Sequence, residues 1–133
     1  MGAGPNYVLD KGFQANEALT QYYLVKLVTA SEGYVDQSDT TNEVCIGVTQ
    51  EACTAGDATS GKIVDVRIMG VSTCVASQAV NLGELVRSSG AGKISGLAGA
   101  AKQKVLGIAL TAAGVDGDQL DVLLTPLVEV DNS

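Results

Sequence analysis

The chain has 133 residues, 46% of them apolar, a formal net charge of -7 and no histidine, which suits one domain with a sizeable core. Its acidity excludes nucleic acid and an anionic membrane surface as partners, because no basic patch could neutralise phosphates. The missing histidine removes the commonest catalytic base and metal ligand, so neither a Ser-His-Asp nor a Cys-His arrangement is available and no cofactor or metal is expected.

Residues 1–12 read as an extended N-terminal arm. Gly2, Gly4 and Pro5 loosen the lead, while Tyr7, Val8 and Leu9 supply an apolar grip suited to docking on a neighbour. A single β domain is expected over residues 13–133, with Phe13 at the junction. Tyr22 to Thr29 is rich in strand formers, and Ser31-Glu32-Gly33 turns the chain into a short Tyr34-Val35 strand. Asp36, Asp39 and Glu43 then share one polar loop that reads as a solvated charge run.

Val44, Ile46 and Val48 alternate with smaller or more polar residues, as a half-buried strand requires. A helical turn over Thr49–Ala55 should precede the Gly56-Asp57 turn, and Val64, Val66 and Ile68 then alternate with Asp65 and Arg67.

The second half repeats this order. Val44-Cys45-Ile46-Gly47-Val48-Thr49-Gln50-Glu51-Ala52 recurs as Lys104-Val105-Leu106-Gly107-Ile108-Ala109-Leu110-Thr111-Ala112. Gly56-Asp57 and Asp65-Val66-Arg67-Ile68 recur as Gly117-Asp118 and Asp121-Val122-Leu123-Leu124, with a second helical turn expected at Thr111–Val115. Ala15, Ala18 and Leu19 align with Ala76, Ala79 and Val80, and the segment from Lys26 to Val35 with that from Leu85 to Ile94. The units run from about 13 to 68 and from about 74 to 124, two diverged repeats of about 55 residues each. Residues 1–12 have no counterpart in this alignment.

An all-β barrel or sandwich with short loops follows. The Ala-rich stretch from Ala98 to Leu110 is broken by Gly99 and Gly107, so it is not expected to be helical. Gly47 and Gly107 sit mid-strand in both copies, which points to close backbone approach or a bulge. Cys45, Cys53 and Cys74 align with Val105, Ala113 and Phe13. Each therefore behaves as a small core hydrophobe with a free thiol.

Apparent chemical motifs fail on inspection. Ser88 to Ser95 resembles a phosphate-binding loop, but Arg87 stands where glycine is needed and Ile94 where Ser or Thr is needed. Asp116-Gly117-Asp118 lacks the ligands of a calcium loop, and Asp57 and Asp118 suit turn shaping instead. No stretch reads as a membrane span or secretory signal, and Asn6 spoils a myristoylation motif, so synthesis in the cytoplasm without an address is expected.

The ordered set Ile46-Gly47-Val48-Thr49-Gln50-Glu51-Ala52, Gly83-Glu84-Leu85-Val86, Gly92-Lys93-Ile94 and Leu106-Gly107-Ile108-Ala109-Leu110 resembles small capsid decoration, or cement, proteins of tailed bacteriophages. The resemblance covers about Ala15 to Pro126. It implies a compact β domain that forms a homotrimer on the capsid exterior of the virion. There it binds the major capsid protein at three-fold or quasi-three-fold sites and stabilises the head. It brings no catalytic residues, so no enzyme is expected. Arms of such proteins often reach a neighbour, which fits Tyr7, Val8, Leu9 and Phe13. The alternative is a receptor- or glycan-binding β module, with Tyr22, Tyr23 and Tyr34 as stacking surfaces. An enzyme of unfamiliar type would need an apolar pocket converging on Lys62, Asp65 or Arg67.

Overall fold

The computed structural model describes residues 7–98 and 102–131. In chain order its elements are β1 (Tyr7–Ala15), β2 (Leu24–Leu27), β3 (Tyr34–Gln37), β4 (Gly47–Thr49), α1 (Ala55–Thr59), β5 (Ile63–Val75), β6 (Leu85–Gly90), β7 (Lys93–Gly96), β8 (Lys102–Ala109) and β9 (Gln119–Asp131). The strands join in one sheet of order β1-β3-β2-β4-β5-β9-β8-β6-β7. β1 also pairs antiparallel with β5, and this closes β1, β3, β2, β4 and β5 into a barrel. The all-β class expected from the sequence is therefore observed.

The duplication holds at the level of hydrogen-bond register. Phe13 faces Val64 across β1 and β5, as Cys74 faces Leu120 across β5 and β9. Val25 faces Gln37 as Val86 faces Gly96, and Val48 faces Arg67 as Ile108 faces Leu123. A parallel bridge between Ala76 and Ile94 closes the second ring where β1 and β3 close the first. β5 belongs to both units: its first half ends one barrel and its second half begins the next.

Each barrel has its own core, and the two correspond side chain by side chain. Val25, Val35, Cys53, Val64 and Val66 fill the first; Val86, Ile94, Ala113, Leu120 and Val122 fill the second. β-branched residues predominate because strand side chains at alternate positions must meet over a narrow interior. The cysteines are free and buried, as the alignment with apolar residues implies. Burial pushes the Cys74 thiol up to about 12.

Five expectations need correction. From Tyr7 on, the expected arm is the first half of β1, and Asp10 to Gly12 pair with β5 as Val71 to Thr73 pair with β9. The repeat thus begins before Phe13; residues 1–6 lie outside the described set. Lys26 faces Asp36 as Arg87 faces Ser95, so Lys26 matches Arg87 and Leu24 matches Leu85. The β2–β3 hairpin is longer than the β6–β7 hairpin, which offsets the simple alignment. The helical turn is α1, beginning where the expected one ends, because Thr54 and Asp57 form a reciprocal capping box. No helix forms at Thr111–Val115, where the Asp118 carboxylate instead accepts the Gly114 and Val115 amides at 2.8 and 3.1 Å. Finally, β4 holds only Gly47–Thr49, since the chain ahead of it turns away to dock Asn42 on β8.

Candidate interaction surface

Gly47 and Gly107 occupy equivalent places, and a Cβ at either would strike a main-chain carbonyl, that of Arg67 or Leu123. Val66 and Val122 crowd the same two positions from the barrel interior. Of the close approach or bulge expected from the sequence, the close approach is present in both units and lets β4 and β8 lie tightly on β5 and β9, while β8 also shifts register between Val105 and Gly107.

The polar loop after β3 is a built charge knot rather than a solvated run. Lys26 Nζ donates to Asp39 Oδ1 and Glu43 Oε2, both at 2.9 Å. Glu43 Oε1 accepts from Ser38 Oγ at 2.8 Å and from the Asp39 and Thr40 amides at 3.0 and 3.2 Å. Hydrogen bonding to Asp39 and Glu43 raises the Lys26 pKa, and Lys26 holds that of Asp39 below its ordinary value. Burial alone would raise the Glu43 pKa, but Lys26, Ser38 and the two amides together outweigh it and lower it.

This knot holds the first unit on the second. Ser38 Oγ lies 2.9 Å from Ser88 Oγ, the Asn42 amide donates to Ser88 O at 2.8 Å, and Leu24 N–H donates to Gly92 O at 2.8 Å. Tyr23 covers Gly92 so closely that no side chain would fit there. The stretch resembling a phosphate loop is thus a tight hairpin pressed against Tyr23, with Gly90, Ala91 and Gly92 all at positive φ.

At this junction the outer wall of the first barrel caps the open rim of the second. Leu24, Val48 and Arg67 are in register on the wall, and Leu24 and Val48 are 1% and 0% exposed. Leu24, Cys45 and Val48 join the second barrel's core with the rim residues Leu106 and Leu124. Gln50 Nε2 reaches the rim residue Ser72 Oγ at 2.9 Å.

The matching surfaces on the other sides are uncovered. Across β5, β9, β8 and β6 the wall of the second barrel presents Val71, Leu123, Ile108 and Leu85 in register, with Leu123 39% and Leu85 40% exposed. The rim of the first barrel borders an apolar cleft of about 420 Å³ that runs into the junction: Phe13, Leu27, Val44, Ile46 and Ile68 line it together with Leu24, Cys45, Leu106 and Leu124. Of these residues sequence reasoning singled out only Phe13 as a contact, because the offset alignment hid the equivalence of Leu24 and Leu85.

Of the arm residues singled out from the sequence, Leu9 is exposed and faces Met69, while Phe13 is buried and meets Lys11 Nζ 5.6 Å from its ring centre. The side chains of Tyr7 and Val8 lie outside the described set. Tyr22 packs on the core at a positive φ of 68, where the second unit has Gly83. Arg67 is tied to Asp10 through Nε at 2.8 Å and Nη2 at 3.1 Å, and Lys62 donates to Ala52 O. Arg67, Lys62 and the exposed Asp65 do not converge on the cleft. Asp116 pairs with Lys93 at 2.8 Å. Among the described residues no His/Cys/Asp/Glu group could hold a metal ion.

No family model and no curated protein matches this sequence. Among solved structures, the crystal structure of the head fiber gp8.5 N base in bacteriophage phi29 superposes with a TM-score of 0.68 at 13% identity. The match covers 92% of this chain and 98% of that one. The two chains share one fold.

Proposed function

We propose that this chain is a structural protein of a bacteriophage virion, carried on the outside of the head. The observation that carries this reading is the near end-to-end likeness to a head fiber base. The order of strand motifs resembling capsid decoration proteins supports it independently. In this reading the chain is a homotrimer seated at three-fold or quasi-three-fold sites, where it binds the major capsid protein and stabilises the head. It acts as a binding scaffold and not as an enzyme. Three linked contacts reach high avidity although each is weak. The acidic surface, at -7 per chain, repels DNA released from damaged heads.

Incubation with expanded heads that lack the protein, followed by sedimentation and heating, tests the proposal. The protein is expected to sediment with the heads and to raise the temperature at which they release DNA. Protein left in the supernatant, with heads no more resistant than before, would overturn it.

A further inference from the structure

Within the chain, one barrel wall caps one barrel rim through three paired positions: Ser38 with Ser88, Gln50 with Ser72, and Leu24 with Gly92. The repeat carries each wall position onto the free wall of the second barrel, as Leu97, Leu110 and Leu85. It carries each rim position onto the free rim of the first, as Leu27, Lys11 and Gly33. The polar Ser38–Ser88 pair thus becomes Leu97 with Leu27, apolar on both sides at once. Leu85, Leu110 and Leu27 are exposed in the single chain, and Gly33 offers open space for a close approach. At the Leu97–Leu27 pair two uncovered surfaces of one molecule have changed chemistry together, while the Gln50–Ser72 pair becomes Leu110 with the exposed Lys11; these positions would meet only if they belong to different copies.

We infer that the second-barrel wall of one copy seats on the first-barrel rim of the next, continuing between chains the junction found within each chain. The occupant of the cleft is a second copy of this protein, with Leu85, Ile108 and Leu123 laid over Leu27, Ile46 and Ile68. Such a contact is heterologous and can close into a ring. The trimer proposed above sets only the number of copies; the pairing of surfaces rests on the repeat.

Light scattering behind size exclusion reads this directly, with thermal melting followed by circular dichroism as the folding control. The wild-type protein is expected to form a closed oligomer. L85D on the wall and L27D on the rim should each weaken association by about 100-fold or more and run as monomers. Mixed together, the two variants retain one intact wall and one intact rim, so they should form a 1:1 pair and nothing larger. L110D replaces L85D if the latter does not fold. Oxidation of a double variant, L27C with L97C, should link chains covalently, because these positions correspond to Ser88 and Ser38.

A wild-type monomer at all concentrations overturns the inference and leaves head binding standing. So does an oligomer that survives both variants, or a mixture that does not pair. A rim variant that shifts melting without changing mass would assign the cleft to the chain's own first residues, and also overturns it.

Discussion

Gly47 and Gly107 show how the same substitution takes opposite signs in different surroundings. G47A or G107A drives a methyl group into a main-chain carbonyl, and the paired strands must part. We expect a loss of about 3 kcal/mol for each, the upper end for overpacking. Gly56 lies inside α1, where a Cβ would meet only Thr54 Oγ1 at 3.9 Å. G56A should gain about 0.5–1 kcal/mol from the lower chain entropy of alanine. Urea midpoints of the three variants decide the matter; a tolerated G47A would refute the close approach. Both strand glycines were legible in the sequence because they recur in a repeat. Their cause was not, since the carbonyls they touch lie on strands distant in sequence.

At the scale of elements, the loop after β3 behaves as a titratable clasp. The lowered Asp39 and Glu43 carboxyls contribute stability that is complete above the usual carboxylate range and is lost as pH falls through their folded values. The raised Lys26 contributes fully below the ordinary lysine range and is lost only above it. Stability should therefore be flat around neutrality and fall in acid as the clasp opens. E43Q should cost about 1–2 kcal/mol at pH 7 and noticeably less at pH 3.5, measured as urea midpoints at the two values. An acid loss as steep in E43Q as in the wild type would count against the clasp. The sequence placed these charges in one loop, but it could not reveal that Lys26 on β2 gathers two of them. β5 was likewise hidden: residues 69–73 fall between the two expected units, yet the strand runs through with Gly70 at a φ of 107.

For the whole molecule, the shared β5 and the mixed core make the two barrels one cooperative unit. Leu24, Cys45 and Val48 are folded by the first unit but buried among residues of the second. Neither barrel can therefore open without exposing apolar surface of the other. All four tyrosines, Tyr7, Tyr22, Tyr23 and Tyr34, lie in the first half of the chain. Tyrosine fluorescence thus reports on the first barrel and on its junction with the second, where Tyr22 packs on the second core and Tyr23 on Gly92, while far-ultraviolet circular dichroism reports on the whole chain. V122A hollows the second core at a fully buried position and should cost about 2 kcal/mol, in the range of core truncations. If the barrels unfold together, V122A lowers the fluorescence midpoint as much as the dichroism midpoint, and V66A in the first core does the same. A fluorescence transition left unmoved by V122A would show the barrels to be independent. The cap of one barrel over the other would then be a contact between domains rather than a shared core.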